Sequence, residues 1–232
     1  MPGSIADNAS FLGGRVRGVM ACLFEHAPKL PNRLPASRHA LAWHVHLPTD
    51  LPWDDGTAAG ERACAAMETV RHLADGATLA VLHHPPSLRC LEAFMRPWKA
   101  AGWKAEQLLL ENVPEADMAA LPSWCDRVGA GLCLDVSHLA LFGNLTHAVH
   151  DSTLLARIRM VHWSAPRGGK DAHAPLGEIA AELVPACRLL AETVRDCVDV
   201  IEVFNWQSLQ DSWDTLRAWK ELQAETACAL NR

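Results

Sequence analysis

The chain predicts an α/β fold of the (β/α)₈, or TIM-barrel, class: a single domain over 1–232 whose first strand is missing or vestigial. Three observations carry that prediction. Short runs of Val, Leu and Ile recur without polar alternation, as parallel strands covered on both faces require. After the second run, a longer helix-like stretch separates each run from the next, the order of βαβ units. No Gly-rich phosphate loop follows the first run, which counts against an open doubly wound sheet.

The elements follow in order. SIADNASFLGG (4–14) reads as a helix, with Ser4 or Asp7 near its start and Gly13–Gly14 as its stop. A helix so early implies a strand before it, and only Met1, Pro2 and Gly3 precede it. The two sheet edges left at such a gap call for cover, either from a partner copy in a homo-oligomer or from a longer N-terminus. Strands are expected within 17–25 and over 42–48, 77–85, 106–113, 130–138, 158–164 and 198–204. Helices are expected over 60–75, 88–102, 177–196 and 208–227.

Composition narrows the function. A hydrophobic share of 50% and a charged share of 21% suit a globular domain, and 232 residues suit one core. The net charge of −6 argues against a nucleic-acid partner, because phosphate affinity comes mainly from clustered Lys and Arg. The eight cysteines contain no C-x-x-C pair and read as reduced thiols. There is no signal-peptide pattern and no apolar run of about 18 residues. A soluble, cytoplasmic protein with no membrane partner is expected.

Twelve histidines are many for this length, and their positions matter more than their number. In a (β/α)₈ barrel the chemistry sits where strands end. The predicted strands end in Glu25, His46, His84, Glu111, Asp135 with His138 just beyond, His162 and Glu202. The loop APRGGKDAHAPLG adds Asp171 and His173. Each has a plain structural explanation on its own: a core histidine bonded to a carbonyl, a turn at HHPP, or helix caps at Asp135 and Asp171. A carboxylate carried inward by a buried strand must nevertheless be paired or metal-bound, or its pKa shifts. Leaving Glu25 aside, nine such groups on one predicted rim make independent explanations implausible.

Nine nitrogen and oxygen donors suit Zn²⁺, Mn²⁺, Fe²⁺ or Co²⁺. Four carboxylates and five imidazoles are enough for two or three ions, with a carboxylate bridging neighbours about 3.5–4 Å apart, as in-line phosphoryl displacement uses them. Asp135 and His138 then serve different ions. Outside this set, Asp50, Arg89 and Trp163 are candidate substrate contacts beside Glu25, and Glu111, Glu202 and His173 are the candidate catalytic groups.

The ordered series HVHLP, LHHPPS, LLLENV, LCLDVSH, VHWS, DAHAPLG and VIEVF resembles the xylose isomerase-like barrel superfamily, in particular its endonuclease IV-like branch. The resemblance spans about residues 17 to 204 and implies a trinuclear zinc cluster. By that resemblance His46, His84 and Glu111 hold one ion. Glu111 bridges to a second held by Asp135, His162 and Glu202, while His138, Asp171 and His173 hold the third. ADNASFLGGRV, CLFEHAP, HVHLPTDLPWDDG and IEVFNWQSLQDSWDTLRAW look like the cobamide-remodelling phosphodiesterases of the same superfamily. That likeness implies hydrolysis of the nucleotide loop of a cobamide to give cobinamide phosphate, with Glu25 as an acidic residue ending the second strand. WSAP and DAHAPLG are closer to the endonuclease pattern.

Four functions follow for testing. The first is a metal-dependent phosphodiesterase acting on a small nucleotide-loop substrate. The second is an abasic-site DNA endonuclease with the same centre. The third is a sugar or inositol isomerase or epimerase that needs a single ion. The fourth is a non-catalytic corrinoid or metal binder.

Overall fold

The computed structural model describes residues 5–23, 41–73, 77–113 and 117–230. Among them are seven parallel strands at the seven predicted runs and a short antiparallel hairpin that was not predicted. The chain divides into two compact units, Pro2–Glu111 with Ala116–Leu132, and Asn112–Glu115 with Cys133–Arg232.

In the first unit, α1 (Ile5–Leu12) leads into β1 (Gly18–Cys22). β2 (Ala42–His46), β3 (Ala80–His83) and β4 (Leu108–Glu111) follow, each parallel to the one before. Val81, Leu82, Leu108, Leu109 and Leu110 are fully buried, which explains why these strands read as continuous apolar runs. Each such leucine contributes about 1.5–3 kcal/mol relative to exposure. α2 (Gly56–Val70) begins four residues before the predicted helix because Asp55 accepts hydrogen bonds from the Thr57 and Ala58 N–H groups and fixes the start there. α3 (Leu88–Ala100) is capped in the same way by Ser87, whose hydroxyl accepts from the Cys90 N–H.

Helices α2 and α3 pack closely because α2 presents Gly56 and Gly60. A Cβ on Gly60 would lie 2.6 Å from the Phe94 carbonyl oxygen. α4 (Leu121–Val128) ends at Gly129, whose φ of +81° favours glycine.

β5 (Gly131–Asp135) starts in the first unit and ends in the second. Between it and β6 (Ile158–Trp163) come three short helices, α5 (Val136–Leu141), α6 (Leu145–Ala148) and α7 (Ser152–Leu155). After β6 the predicted loop is a hairpin, β7 (Ala165–Arg167) and β8 (Lys170–Ala174), turning at Gly168–Gly169. Both glycines have positive φ, 61° and 71°, the turn geometry that matches strand twist.

α8 (Val184–Thr193) starts seven residues later than predicted, after two 3₁₀ turns. Pro185 sits in its first turn, where its missing N–H costs no helical bond; in the interior of a helix over 177–196 it would break the ladder. β9 (Val198–Ile201) pairs with β6 in parallel, and α9 (Trp206–Leu230) follows. Trp163 packs against Trp219 of α9 and donates to Asp199, which also pairs with Lys220. No helix among the described residues is long and apolar enough to cross a membrane.

Candidate metal-binding residues

In the first unit the ends of three strands supply one group. His46 is the last residue of β2, His83 of β3 and Glu111 of β4. One ligand atom from each lies within 4.8 Å of the others. Glu111 Oε2 is 3.0 Å from His46 Nε2 and 3.3 Å from His83 Nε2. His46 and Glu111 are 3% and 1% exposed, so water does little to screen the carboxylate.

In the second unit Asp135 ends β5, His162 lies one residue from the end of β6, and Glu202 follows β9 directly. His162 Nδ1 is 3.0 Å from Glu202 Oε2 and 3.9 Å from Asp135 Oδ2. The other Asp135 oxygen accepts from the His138 N–H at 2.7 Å and caps α5. The cap reading and the ligand reading of Asp135 are therefore compatible, one oxygen for each.

The hairpin brings Asp171 and His173 to His138. Asp171 Oδ2 is 3.1 Å from His138 Nε2 and 3.5 Å from His173 Nε2, and its other oxygen accepts from the Ser137 hydroxyl at 2.8 Å. Burial alone would raise the Asp171 carboxyl. The hydrogen bonds from His138 and Ser137 and the neighbouring imidazoles outweigh it and hold the pKa at about 2. His173 has φ +43°, a left-handed backbone unusual for a histidine, and its Nδ1 is buried with no hydrogen-bond partner among the described residues.

Tautomers show what these groups are arranged to hold. His46 Nδ1 is 2.9 Å from the Leu47 carbonyl oxygen, and His138 Nδ1 is 2.7 Å from that of Asn112. A carbonyl only accepts, so Nδ1 must be the donor in both rings. Nε2 of each ring faces a carboxylate oxygen, at 3.0 Å in one case and 3.1 Å in the other. It carries the second proton of an imidazolium, the donor that lowers Asp171, or in the neutral ring turns a lone pair there. Two acceptors at that distance need a proton or a cation between them. A metal-bound histidine commonly donates its second N–H to a carbonyl in this way. Bond lengths of about 2 Å around zinc place neighbouring donors roughly 3.3 Å apart, close to the spacings found. These residues fit a borderline divalent ion. His44 offers the contrast: its Nδ1 accepts from the Leu79 N–H, a structural role.

No family model and no curated protein matches the sequence. Solved structures do. Endonuclease IV from Thermus thermophilus is 18% identical, matched over 93% of this chain and 94% of its own, with a TM-score of 0.67. A D-tagatose 3-epimerase-like protein is 21% identical over 82% and 81%, with a TM-score of 0.62. Another Thermus thermophilus protein, whose crystals were soaked with ZnCl₂, is 22% identical over 92% and 94%, with a TM-score of 0.62. These neighbours are xylose isomerase-like TIM-barrel proteins. The chain has a TIM-barrel fold.

In TIM barrels the chemistry sits at the ends of the strands, and the ligand-type residues lie at strand ends in each unit here. His84 departs from expectation. His83, not His84, accompanies His46 and Glu111, because strand alternation sends neighbouring residues to opposite sides. The His84 ring stacks on Trp124 at a centroid distance of 4.5 Å, and burial lowers its pKa against the opposing charge of Asp117. Among the expected substrate contacts, Trp163 is fully buried and donates to Asp199. Asp50 is exposed and paired with Arg62, and Arg89 is exposed on the first turn of α3. Glu25 lies outside the described residues.

Two residues escaped the sequence reading. Asn112 is 2% exposed; its amide donates to the Asp135 carbonyl and accepts from the Asp135 N–H, while its own carbonyl holds His138. Ser137 holds Asp171. The only signal was their position beside a candidate ligand in ENV and DVSH.

Proposed function

We propose that the protein is a divalent-metal-dependent phosphodiesterase with two or three ions per chain, Zn²⁺ first among them. The ligands on this reading are His46, His83 and Glu111; Asp135, His162 and Glu202; and His138, Asp171 and His173. The observation that carries the reading is the His138–Asp171–His173 group. A single-ion isomerase needs no such set, yet this one is built with a fixed tautomer and a carboxylate held at about 2.

Divalent ions at such a centre acidify water and polarise a phosphoryl oxygen. The chain's own residues prepare for that chemistry. The Leu47 and Asn112 carbonyls orient His46 and His138, Ser137 aims Asp171, and burial keeps bulk water from Glu111 and Asp135. On this reading Glu111 and Glu202 would take the proton from a water admitted with the substrate, and His173 would serve the leaving oxygen. The substrate is a small phosphodiester; the sequence likeness to cobamide-remodelling enzymes points to the nucleotide loop of a cobamide. The net charge of −6 disfavours duplex DNA.

A second reading, a sugar epimerase with one ion at Asp135, His162 and Glu202, is favoured by the likeness to the D-tagatose 3-epimerase-like protein. One experiment separates them. Metal-reconstituted protein is incubated in parallel with adenosylcobalamin, abasic-site DNA and ketohexoses. The proposal expects adenosylcobinamide phosphate by mass spectrometry, no nicked DNA and no epimer. Epimer formation without phosphodiester cleavage overturns it.

A further inference from the structure

Phe204 lies two residues beyond Glu202, and 51% of its surface is exposed. Its ring meets that of His173 edge to face, with centroids 4.9 Å apart and planes at 81°. Four large apolar side chains are prominently exposed among the described residues: Phe11, Phe142, Phe204 and Trp213. Phe204 sets its ring against that of His173, a member of the candidate ligand groups. It also takes the place that the sequence assigned to Trp163, which is sealed against α9.

An exposed aromatic ring beside a polar centre offers a flat apolar face on which another flat ring can stack. His173 has its backbone in the left-handed region and sets its Nε2 3.5 Å from Asp171 Oδ2, so the imidazole that Phe204 contacts belongs to the candidate ligand group. We infer that Phe204 is the specificity residue of the site: its ring stacks on the aromatic base of a nucleotide whose phosphate lies at the His138–Asp171–His173 group. This rests on the phosphodiesterase reading and adds to it the class of the leaving group, a nucleoside whose base is a flat heteroaromatic ring of purine or benzimidazole type.

Two measurements test it, and the first needs no turnover. Calorimetric titration of metal-reconstituted protein compares adenosine 5′-monophosphate with ribose 5-phosphate, which differ only in the base. Base–aromatic stacking predicts that wild type binds the nucleotide about 10-fold more tightly or better. Phe204→Leu should abolish that preference while leaving ribose 5-phosphate binding within about twofold, and Phe204→Trp should restore it. Equal affinity of wild type for the two probes overturns the inference, whatever the enzyme's activity. So does a Phe204→Leu protein that loses both ligands alike, since that marks Phe204 as a residue that only positions His173.

The second measurement is turnover of bis(p-nitrophenyl) phosphate by the same preparations. Wild-type turnover together with equal binding of the two probes sinks the stacking role alone. Absence of turnover with a base preference that depends on Phe204 sinks the phosphodiesterase reading alone.

Discussion

Asp171 is exposed enough to meet solvent yet stays ionised in strongly acidic water, because Ser137, His138 and His173 all favour its charged form. This has a consequence for the metal-free protein. The unfolded chain takes up the proton near 3.8 and the folded chain only near 2, so the unfolded state binds more protons in that interval. The contribution of Asp171 is complete above 3.8 and is lost as the pH falls through about 2. Urea unfolding of metal-free Asp171→Asn, followed by Trp fluorescence, should therefore show a shallower fall of stability with acidity over this interval than wild type; equal slopes would contradict the account. At the same scale, the sequence displayed the ionisable residues themselves but not the neighbours that aim them. Asn112 and Ser137 act through backbone and side-chain hydrogen bonds whose partners are chosen by the fold. The exchange of His83 for His84 has a similar cause: in a histidine doublet at a strand end, only the pleat decides which ring turns to Glu111.

At the scale of elements, Gly60 sets two tendencies against each other. Helix propensity alone says that Gly60→Ala should stabilise α2 by about 1 kcal/mol. The Cβ would, however, meet Pro97 and the Phe94 carbonyl of α3 inside ordinary contact distance, and forcing the helices apart costs about 1–3 kcal/mol. We expect packing to win and Gly60→Ala to lower the urea midpoint without changing the slope; a raised midpoint would show that α3 yields freely. β4 and β5 were the most legible strands, because burial on both faces writes them as unbroken apolar runs. Helix starts were less legible: Asp55 and Pro185 decide them locally and outrank the apolar period. The hairpin after β6 was read as a loop although Gly168–Gly169 mark its turn, because β7 and β8 are short and lack a run of large apolar residues.

For the whole molecule, a TIM-barrel fold does not fix a reaction, since one framework hosts many chemistries at the ends of its strands. Structural neighbours that include an endonuclease IV and an epimerase-like protein make the same point. What distinguishes a phosphodiesterase here is the number of ligand groups, and that number can be counted directly. Elemental analysis of zinc-reconstituted, exhaustively dialysed protein should give two or three equivalents per chain. Glu111→Ala and His138→Ala should each lower the count while leaving the circular dichroism spectrum unchanged. A wild-type count of one or none, or a count that neither substitution alters, would contradict a polynuclear centre.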